Sequence, residues 1–290
     1  MVQPDRMLVT LAGRGPALRP ALDIASSDDG FVIDARHLEW ASPADLTAIA
    51  ALHASWAPSG PVRLVLPDNP DTASYLQRMD ILRHLGDAGA FVDGDPGADE
   101  RRDQHGRLLE LRPIRSRADI DLFASDVFAL VSSCVDHHQA ALAHGMLGEL
   151  LDNTLAHAQS AGGAFGAAQV YTGRTTGEAG IEVAVSDSGI GILDSLRQNP
   201  ANHAIADCAH AVQAALRKGV TGEINGSGNG LYDVVHQLPS QRGTLLLRSG
   251  DGLARVTPAH RTITATTTAT PGTWAWLRLI PPTSPADGQA

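Results

Sequence analysis

Lysine is almost missing from this chain of 290 residues, in which Lys218 is the only one and arginine carries nearly all of the positive charge. A Walker A phosphate loop requires a lysine that is followed by serine or threonine. Because Lys218 is followed by Gly219, the sequence excludes that kind of nucleotide site.

Cysteine and long apolar runs are also scarce. Cys134 and Cys208 are the only two cysteines, and they cannot form the disulfide framework of a small secreted domain. The N-terminal segment lacks the basic start and apolar stretch of a signal peptide. No apolar run approaches the ~20 residues that span a bilayer. We therefore expect a cytoplasmic protein.

Basic patches are a further absence. The net charge is −10, and arginines are not clustered along the chain. A protein with this balance repels nucleic acid and anionic membrane surfaces, so we expect neither among its partners. The hydrophobic fraction of 43% is typical of a globular chain with a core.

The hydrophobic periodicity predicts an α/β protein. Residues 30–86 alternate between apolar runs, at 31–34 and 62–66, and segments with helical spacing. Strands and helices that alternate with short connections favour parallel strands with covering helices. Residues 87–104 are rich in glycine and aspartate, which indicates a joint between two modules.

The second half has its own pattern of elements. A long helix is predicted over residues 118–158, with a break near His144-Gly145 because glycine weakens a helix interior. The other predicted elements are strands at 108–113, 168–171, 181–186, 244–249 and 273–279, and helices near 204–217 and after Gly230.

The first candidate motif lies in the segment GELLDNTLAHA, residues 148–158. At 100° per residue, Glu149, Asn153 and His157 lie within an arc of about 80°, and leucines occupy the opposite side. An amide oxygen is a suitable ligand for Mg²⁺, and a carboxylate one turn away can orient or deprotonate a water molecule. Taken alone, the stripe is more typical of a solvated face of an amphipathic helix.

The second motif, Asp187-Ser-Gly189-Ile-Gly191, follows an alternating strand. A carboxylate at a strand end can accept a hydrogen bond from the exocyclic amine of adenine, and glycines let a flat base approach the backbone. An ordinary Asp-Ser-Gly turn explains this motif as well.

The third motif, Gly226-Ser-Gly228-Asn-Gly230, leads into a helical run. Glycines before a helix N-terminus can form a phosphate cradle, because backbone N–H groups and the helix dipole point outward there. A flexible turn is the usual explanation of a single such loop.

The three motifs occur in a fixed order, with Asp187 34 positions after Asn153 and Gly226 39 positions after Asp187. This order resembles the GHKL superfamily of Bergerat-fold ATPases, which includes gyrase, MutL proteins, histidine kinases and bacterial anti-sigma serine kinases. The resemblance covers about residues 118–282. It implies an α/β sandwich, in which helices cover a mixed sheet, that binds ATP and Mg²⁺.

The resemblance also implies roles for individual residues. Asn153 would ligate Mg²⁺, Asp187 would bind the adenine amine, and Thr273 would lie near the base. Residues 193–225 would form a mobile lid over the nucleotide. The glycines that would line the base or hold the phosphates are Gly189, Gly191, Gly226, Gly228 and Gly230.

Glu149 decides the expected branch of the superfamily. Histidine kinases usually have an amide four residues before the magnesium-binding asparagine, whereas the hydrolases and the anti-sigma serine kinases have a glutamate that acts as a catalytic base. The histidines of residues 135–144 lack the context of a phosphoacceptor. A dimer clamp of the MutL type would need a transducer domain after the ATPase, which we do not expect here.

Residues 5–90 resemble, in their hydrophobic order, the STAS domains of anti-sigma antagonists. Such domains present a phosphorylatable serine where a helix begins. Here Pro43 or Ala44 occupies that position, and Ser42 is well placed to cap the helix with Pro43 at its first position. A STAS-like domain without its phosphosite indicates a docking module.

The sequence therefore predicts a STAS-like domain at 1–95, a linker and connecting strand at 96–117, a GHKL domain at 118–282 and a disordered tail at 283–290. We expect a regulatory protein that binds Mg-ATP, with slow ATPase or serine-kinase activity coupled to protein interaction. The alternative is a non-catalytic, ATP-gated binding module. Expected partners are a STAS-type protein or a second copy in a homo-oligomer, and the STAS-like domain could dock in cis or in trans.

Overall fold

Two five-stranded β-sheets organise the chain, one mainly parallel and one antiparallel. The computed structural model describes residues 7–12, 23–26, 30–97, 106–135, 137–157, 159–160, 162–172, 179–224, 226, 228–238 and 242–280. The predicted tail at 283–290 lies outside these residues.

The first sheet has the strand order β2-β1-β3-β4-β5, in which β1, β3, β4 and β5 run parallel and β2 pairs antiparallel with β1. Its strands are β1 (Met7–Thr10), β2 (Asp23–Ser26), β3 (Phe31–Asp34), β4 (Val62–Val65) and β5 (Phe91–Asp93). Its helices are α1 (Pro43–Trp56), α2 (Pro70–Arg78) and α3 (Ile81–Asp87), and a short 3₁₀ turn (Ala57–Ser59) follows α1.

The second sheet has the order β6-β7-β8-β10-β9, and every pair is antiparallel. Its strands are β6 (Leu108–Ile114), β7 (Ala164–Thr172), β8 (Ala179–Asp187), β9 (Thr244–Val256) and β10 (Arg261–Leu279). The helices of this half are α4 (Arg117–Ser132), α5 (His137–His157), α6 (Gly191–Arg197), α7 (Cys208–Ala215) and α8 (Gly230–Gln237), with a 3₁₀ turn (Pro200–Asn202) between α6 and α7.

These elements confirm the predicted α/β class and the parallel pairing of β3 with β4, and they correct three details. The second sheet is antiparallel rather than mixed. The predicted joint at 87–104 contains a strand, since Phe91–Asp93 forms the edge of the first sheet. Gly145 lies inside α5, because the buried Met146 and Leu147 offset the roughly 1 kcal/mol that a helical glycine costs.

None of the described helices has both the length and the apolar character needed to cross a bilayer.

Helix α1 is buried on both sides. Of its 14 residues, 12 are buried, and a helix that is apolar all round must be covered all round. As the crossover between β3 and β4 it lies against the first sheet, and it also contacts β7, β8 and β10 of the second sheet. Its side chains share one hydrophobic cluster with Ile33 and Leu64 of the first sheet and with Phe165, Trp274 and Trp276 of the second.

Polar contacts join the two halves around this core. The hydroxyl of Ser186 on β8 donates to the hydroxyl of Thr47 on α1 at 2.9 Å. The hydroxyl of Tyr75 on α2 donates to Oε1 of Gln169 on β7 at 2.6 Å. The first module is therefore docked in cis onto the second sheet.

Ser42 lies at the start of α1, as predicted, with Pro43 at the first helical position. It is 3% exposed. The carboxylate of Asp45 accepts hydrogen bonds from its backbone N–H at 2.8 Å and from its hydroxyl at 2.6 Å. The hydroxyl is thus bonded and shielded from solvent.

Removal of residues 1–105 should expose the apolar face of the second sheet, because α1 covers it. The fragment keeps two of the four tryptophans, Trp274 and Trp276, which are 0% and 8% exposed in the full chain. We expect their fluorescence emission to move to longer wavelength and the binding of an apolar dye to rise several-fold.

The matched control is the full chain with Trp40→Phe and Trp56→Phe, which reports on the same two tryptophans. Unshifted emission together with cooperative unfolding of the fragment would show that the first module does not cover this face.

Candidate functional site

Residues from α5, β8, β10 and the loop before α8 converge on one cleft of about 240 Å³, far more than a single water molecule requires. Of the residues predicted for the site, those that line it are Glu149, Asn153, Asp187, Gly191, Gly226, Gly228, Gly230 and Thr273. Gly189 lies in the turn behind the lining, where its N–H donates to Oδ1 of Asp187 at 2.8 Å.

Helix α5 presents the described part of its polar stripe to the cleft, as its periodicity predicts, and its buried Leu150 also borders the cleft. Leu147 and Leu151 are buried, whereas Glu149 and Asn153 line the cleft. The side-chain N–H₂ of Asn153 donates to the carbonyl of Glu149 at 2.7 Å, which leaves the amide oxygen as the atom that can accept or ligate. The side chain of His157 lies outside the described atoms.

The carboxylate of Glu149 lies beside the start of α8. A Cβ atom at Gly230 would fall 2.6 Å from Oε2 of Glu149, so glycine at this position lets the helix N-terminus approach the carboxylate. Partial burial and the negative charges of Asp152 and Asp233 raise the pKa of Glu149. A raised pKa makes a carboxylate a stronger base near neutral pH.

Asp187 ends β8 and is 2% exposed. Its Oδ1 accepts hydrogen bonds from the N–H groups of Gly189 at 2.8 Å and Thr273 at 3.3 Å. Burial nevertheless raises the pKa of Asp187 to about 6, because it disfavours the charged form. Since both donors meet Oδ1, Oδ2 is the oxygen that can accept a hydrogen bond from a ligand.

Two residues that support this carboxylate were not predicted. Gly272 has a φ of +64°, and a Cβ atom there would lie 2.1 Å from the carbonyl oxygen of Asp187. Ser249 on β9 is buried, and its hydroxyl accepts from the N–H of Ile192 at 2.8 Å. Gly272 stands next to Thr273 in the sequence, which is a weak signal, but no pattern marks Ser249.

The opposite wall contains residues 220–223, Gly226, Gly228 and Asn229, and the described residues between α7 and α8 have no regular structure. Gly228 has a φ of +63°, and its carbonyl accepts from the N–H of Gly219 at 2.9 Å. The side chain of Asn202 donates to the carbonyl of Thr221 at 2.8 Å. The segment predicted as a lid, residues 193–225, contains most of α6, the 3₁₀ turn, α7 and the first part of this wall. Helix α7 packs on β9.

The charge of the cleft is negative. Its described lining contains no basic side chain, but it contains the four acidic residues Glu149, Asp152, Asp187 and Glu223. Asp152 is paired with Arg117 outside the cleft. The positive end of the α8 dipole points at the cleft, but an anionic ligand would also need an accompanying cation.

No group of three or more His, Cys, Asp or Glu side chains that could hold a metal ion occurs among the described residues. The side-chain oxygens of Asn153 and of the acidic residues in the lining could ligate a cation such as Mg²⁺, which usually takes only one or two protein ligands and keeps several waters.

No family model matches the chain, and no curated protein is significantly similar to it.

Gly272→Ala should destabilise the protein by at least about 2 kcal/mol, because a left-handed backbone and a backbone clash combine. Gly89→Ala is the matched control: its φ is +88°, but no atom lies within 4 Å of the added Cβ, so we expect a loss of about 1 kcal/mol. Urea unfolding of both variants measures the difference, and equal losses would contradict the close approach of Gly272 to Asp187.

Proposed function

We propose that residues 118–282 form a Bergerat-type domain of the GHKL superfamily that binds Mg-ATP. The observation that carries this proposal is the convergence of Asn153, Asp187 and the glycine-led start of α8 on one cleft. These are the residues that the resemblance names as metal ligand, base reader and phosphate cradle.

The base would bind at the Asp187 end of the cleft. Oδ2 is the acceptor that remains after two backbone N–H groups have met Oδ1, and the exocyclic amine of adenine is a matching donor. Guanine presents a carbonyl at the corresponding position, so a buried carboxylate would reject it. This contrast makes the cleft selective for adenine.

The phosphates would bind at the α8 end, where there is no room for side chains. A Cβ atom at Gly226 would lie 2.8 Å from the hydroxyl of Thr221, and one at Gly228 would lie 2.5 Å from the backbone of Gly219. Backbone N–H groups at the start of α8 suit phosphate oxygens. The acidic lining repels free phosphate, which favours a nucleotide that arrives with Mg²⁺, and the amide oxygen of Asn153 is its expected protein ligand.

Glu149 is the proposed catalytic base. It lies one helical turn from Asn153 and beside the start of α8, and its raised pKa suits it to accept a proton from water or from a serine hydroxyl. Bound Mg-ATP supplies the phosphoryl group for transfer. The proposed activity is therefore that of a slow ATPase or an anti-sigma-type serine kinase.

The first module is proposed to be STAS-like and to serve protein interaction in a cytoplasmic regulator. Its mainly parallel sheet and helix α1, which Ser42 directly precedes, support this assignment. The buried hydroxyl of Ser42, bonded to Asp45, supports a docking role rather than a phosphoacceptor role. A STAS-type protein or a second copy in a homo-oligomer remains the proposed partner.

Saturating ATP with Mg²⁺ should raise the melting temperature. A ligand at one hundred times its dissociation constant adds about 2.7 kcal/mol to the folded state, which corresponds to roughly 4–5 °C for a chain of 290 residues. We expect a much smaller shift with GTP, and a reduced shift when the metal is chelated or Asn153 is replaced by alanine. Differential scanning fluorimetry measures all four cases.

Asp187→Asn provides the sharpest control for this shift. In this variant the N–H groups of Gly189 and Thr273 would donate to the amide oxygen. The side-chain N–H₂ would then face the adenine amine, and no hydrogen bond can form between two donors. We expect this variant to lose the ATP shift, whereas Asp194→Asn, at an exposed position on α6, should keep it. Equal shifts with ATP and GTP would remove the assignment of Asp187.

Glu149→Gln should leave the ATP-induced thermal shift nearly intact and reduce phosphate release or transfer by roughly 10²–10⁴-fold, the usual effect of losing a general base. Glu223→Gln is the control, since Glu223 lines the opposite wall of the same cleft. Labelled γ-phosphate shows whether the product is phosphoprotein or free phosphate. Wild-type protein that binds ATP without turnover would favour the ATP-gated binding module instead.

A further inference from the structure

The hydroxyl of Ser249 stands where three elements of the cleft meet. Ser249 lies on β9 and is 1% exposed. Its Oγ accepts from the N–H of Ile192, at the start of α6, and donates to the carbonyl of Gly272 on β10 at 3.0 Å. We propose that Ser249 is a positioning residue that sets the adenine selectivity of the cleft, an inference that rests on the proposed nucleotide function.

The turn between β8 and α6 is held at both ends. At its beginning, Oδ1 of Asp187 accepts from the N–H groups of Gly189 and Thr273. At its end, the N–H of Ile192 meets Ser249. Between them Gly191 has a φ of +76°, and a Cβ atom there would lie 2.8 Å from Oγ of Ser249. The turn is thus packed directly against this hydroxyl.

The second bond of Ser249 extends its influence to the carboxylate itself. The carbonyl that it holds belongs to Gly272, and the next N–H along the chain, that of Thr273, donates to Asp187. One hydroxyl therefore fixes both the far end of the turn and the peptide that orients Asp187. Thr273 adds a weaker contact, its own hydroxyl at 3.4 Å from Oγ.

Loss of the Ser249 hydroxyl is expected to change the preference for adenine over guanine, and not only the affinity for nucleotides in general. Discrimination between adenine and guanine depends on where the acceptor oxygen of Asp187 stands, because a displaced carboxylate loses the amine of adenine and no longer clashes with the carbonyl of guanine. Without the hydroxyl of Ser249 the turn and the Gly272 peptide lose their common anchor. The preference for adenine should then fall, whereas a general loss of stability would weaken both nucleotides in proportion.

The test compares Ser249→Ala with Ser186→Ala in the full chain. Both serines are 1% exposed on strands of the second sheet, and Ser186 directly precedes Asp187, but its hydroxyl points to Thr47 on α1. Titration calorimetry with Mg-ADP and Mg-GDP gives the ratio of the two dissociation constants. We expect this ratio to fall about tenfold in Ser249→Ala, the effect of one lost orienting hydrogen bond, and to stay at the wild-type value in Ser186→Ala.

Equal ratios in the two variants, with wild type that prefers ADP, would overturn the role of Ser249 and leave the proposed function intact. Wild type that binds neither nucleotide would overturn the proposed function, and the selectivity role with it. Should Ser249→Ala not fold, amide exchange of wild type decides: slow exchange at Ile192 that slows further with ADP supports the anchor, and exchange as fast as in an open turn overturns it.

Discussion

The burial of α1 between two sheets is the constraint on which the rest of the structure depends. Its alanines, including Ala48, Ala50 and Ala51, are fully buried, and small side chains let the second sheet approach the helix closely. The second sheet thereby gains a cover for Trp274 and Trp276 that its own helices do not supply, because those pack on its other face. The two modules consequently share one core.

The shape of the cleft at the Asp187 end is set by the second sheet and by backbone groups, not by contacts between charged side chains. Burial of Asp187 disfavours its ionised form, and the N–H groups of Gly189 and Thr273 offset only part of that cost. Oδ2 is therefore the oxygen at which a ligand that donates a hydrogen bond would stabilise the ionised carboxylate most, since a hydrogen bond to a buried charged group is strong. The close approach at Gly272 and Gly230 is what brings these backbone groups within reach.

The polar stripe of α5 was predictable because the helical repeat of 3.6 residues places Glu149 and Asn153 on one face and Leu147 and Leu151 on the opposite one. The packing of α1 against the second sheet was not predictable, since an apolar helix pattern does not reveal which surface covers the second side of the helix. Strand β5 was missed because it has three residues in a Gly- and Asp-rich stretch. Ser249 is invisible to periodicity, as its role arises from strand pairing between residues that are distant in sequence.

Ser186 links the first module to the cleft. Its side chain bonds to Thr47 in α1, and the next residue is Asp187, whose side chain belongs to the cleft. The strand end that supports the carboxylate is thus packed on one face by the first module and bonded along its edge to β10. Because α1 is enclosed, the proposed docking of a protein partner on the first module would have to use other parts of its surface.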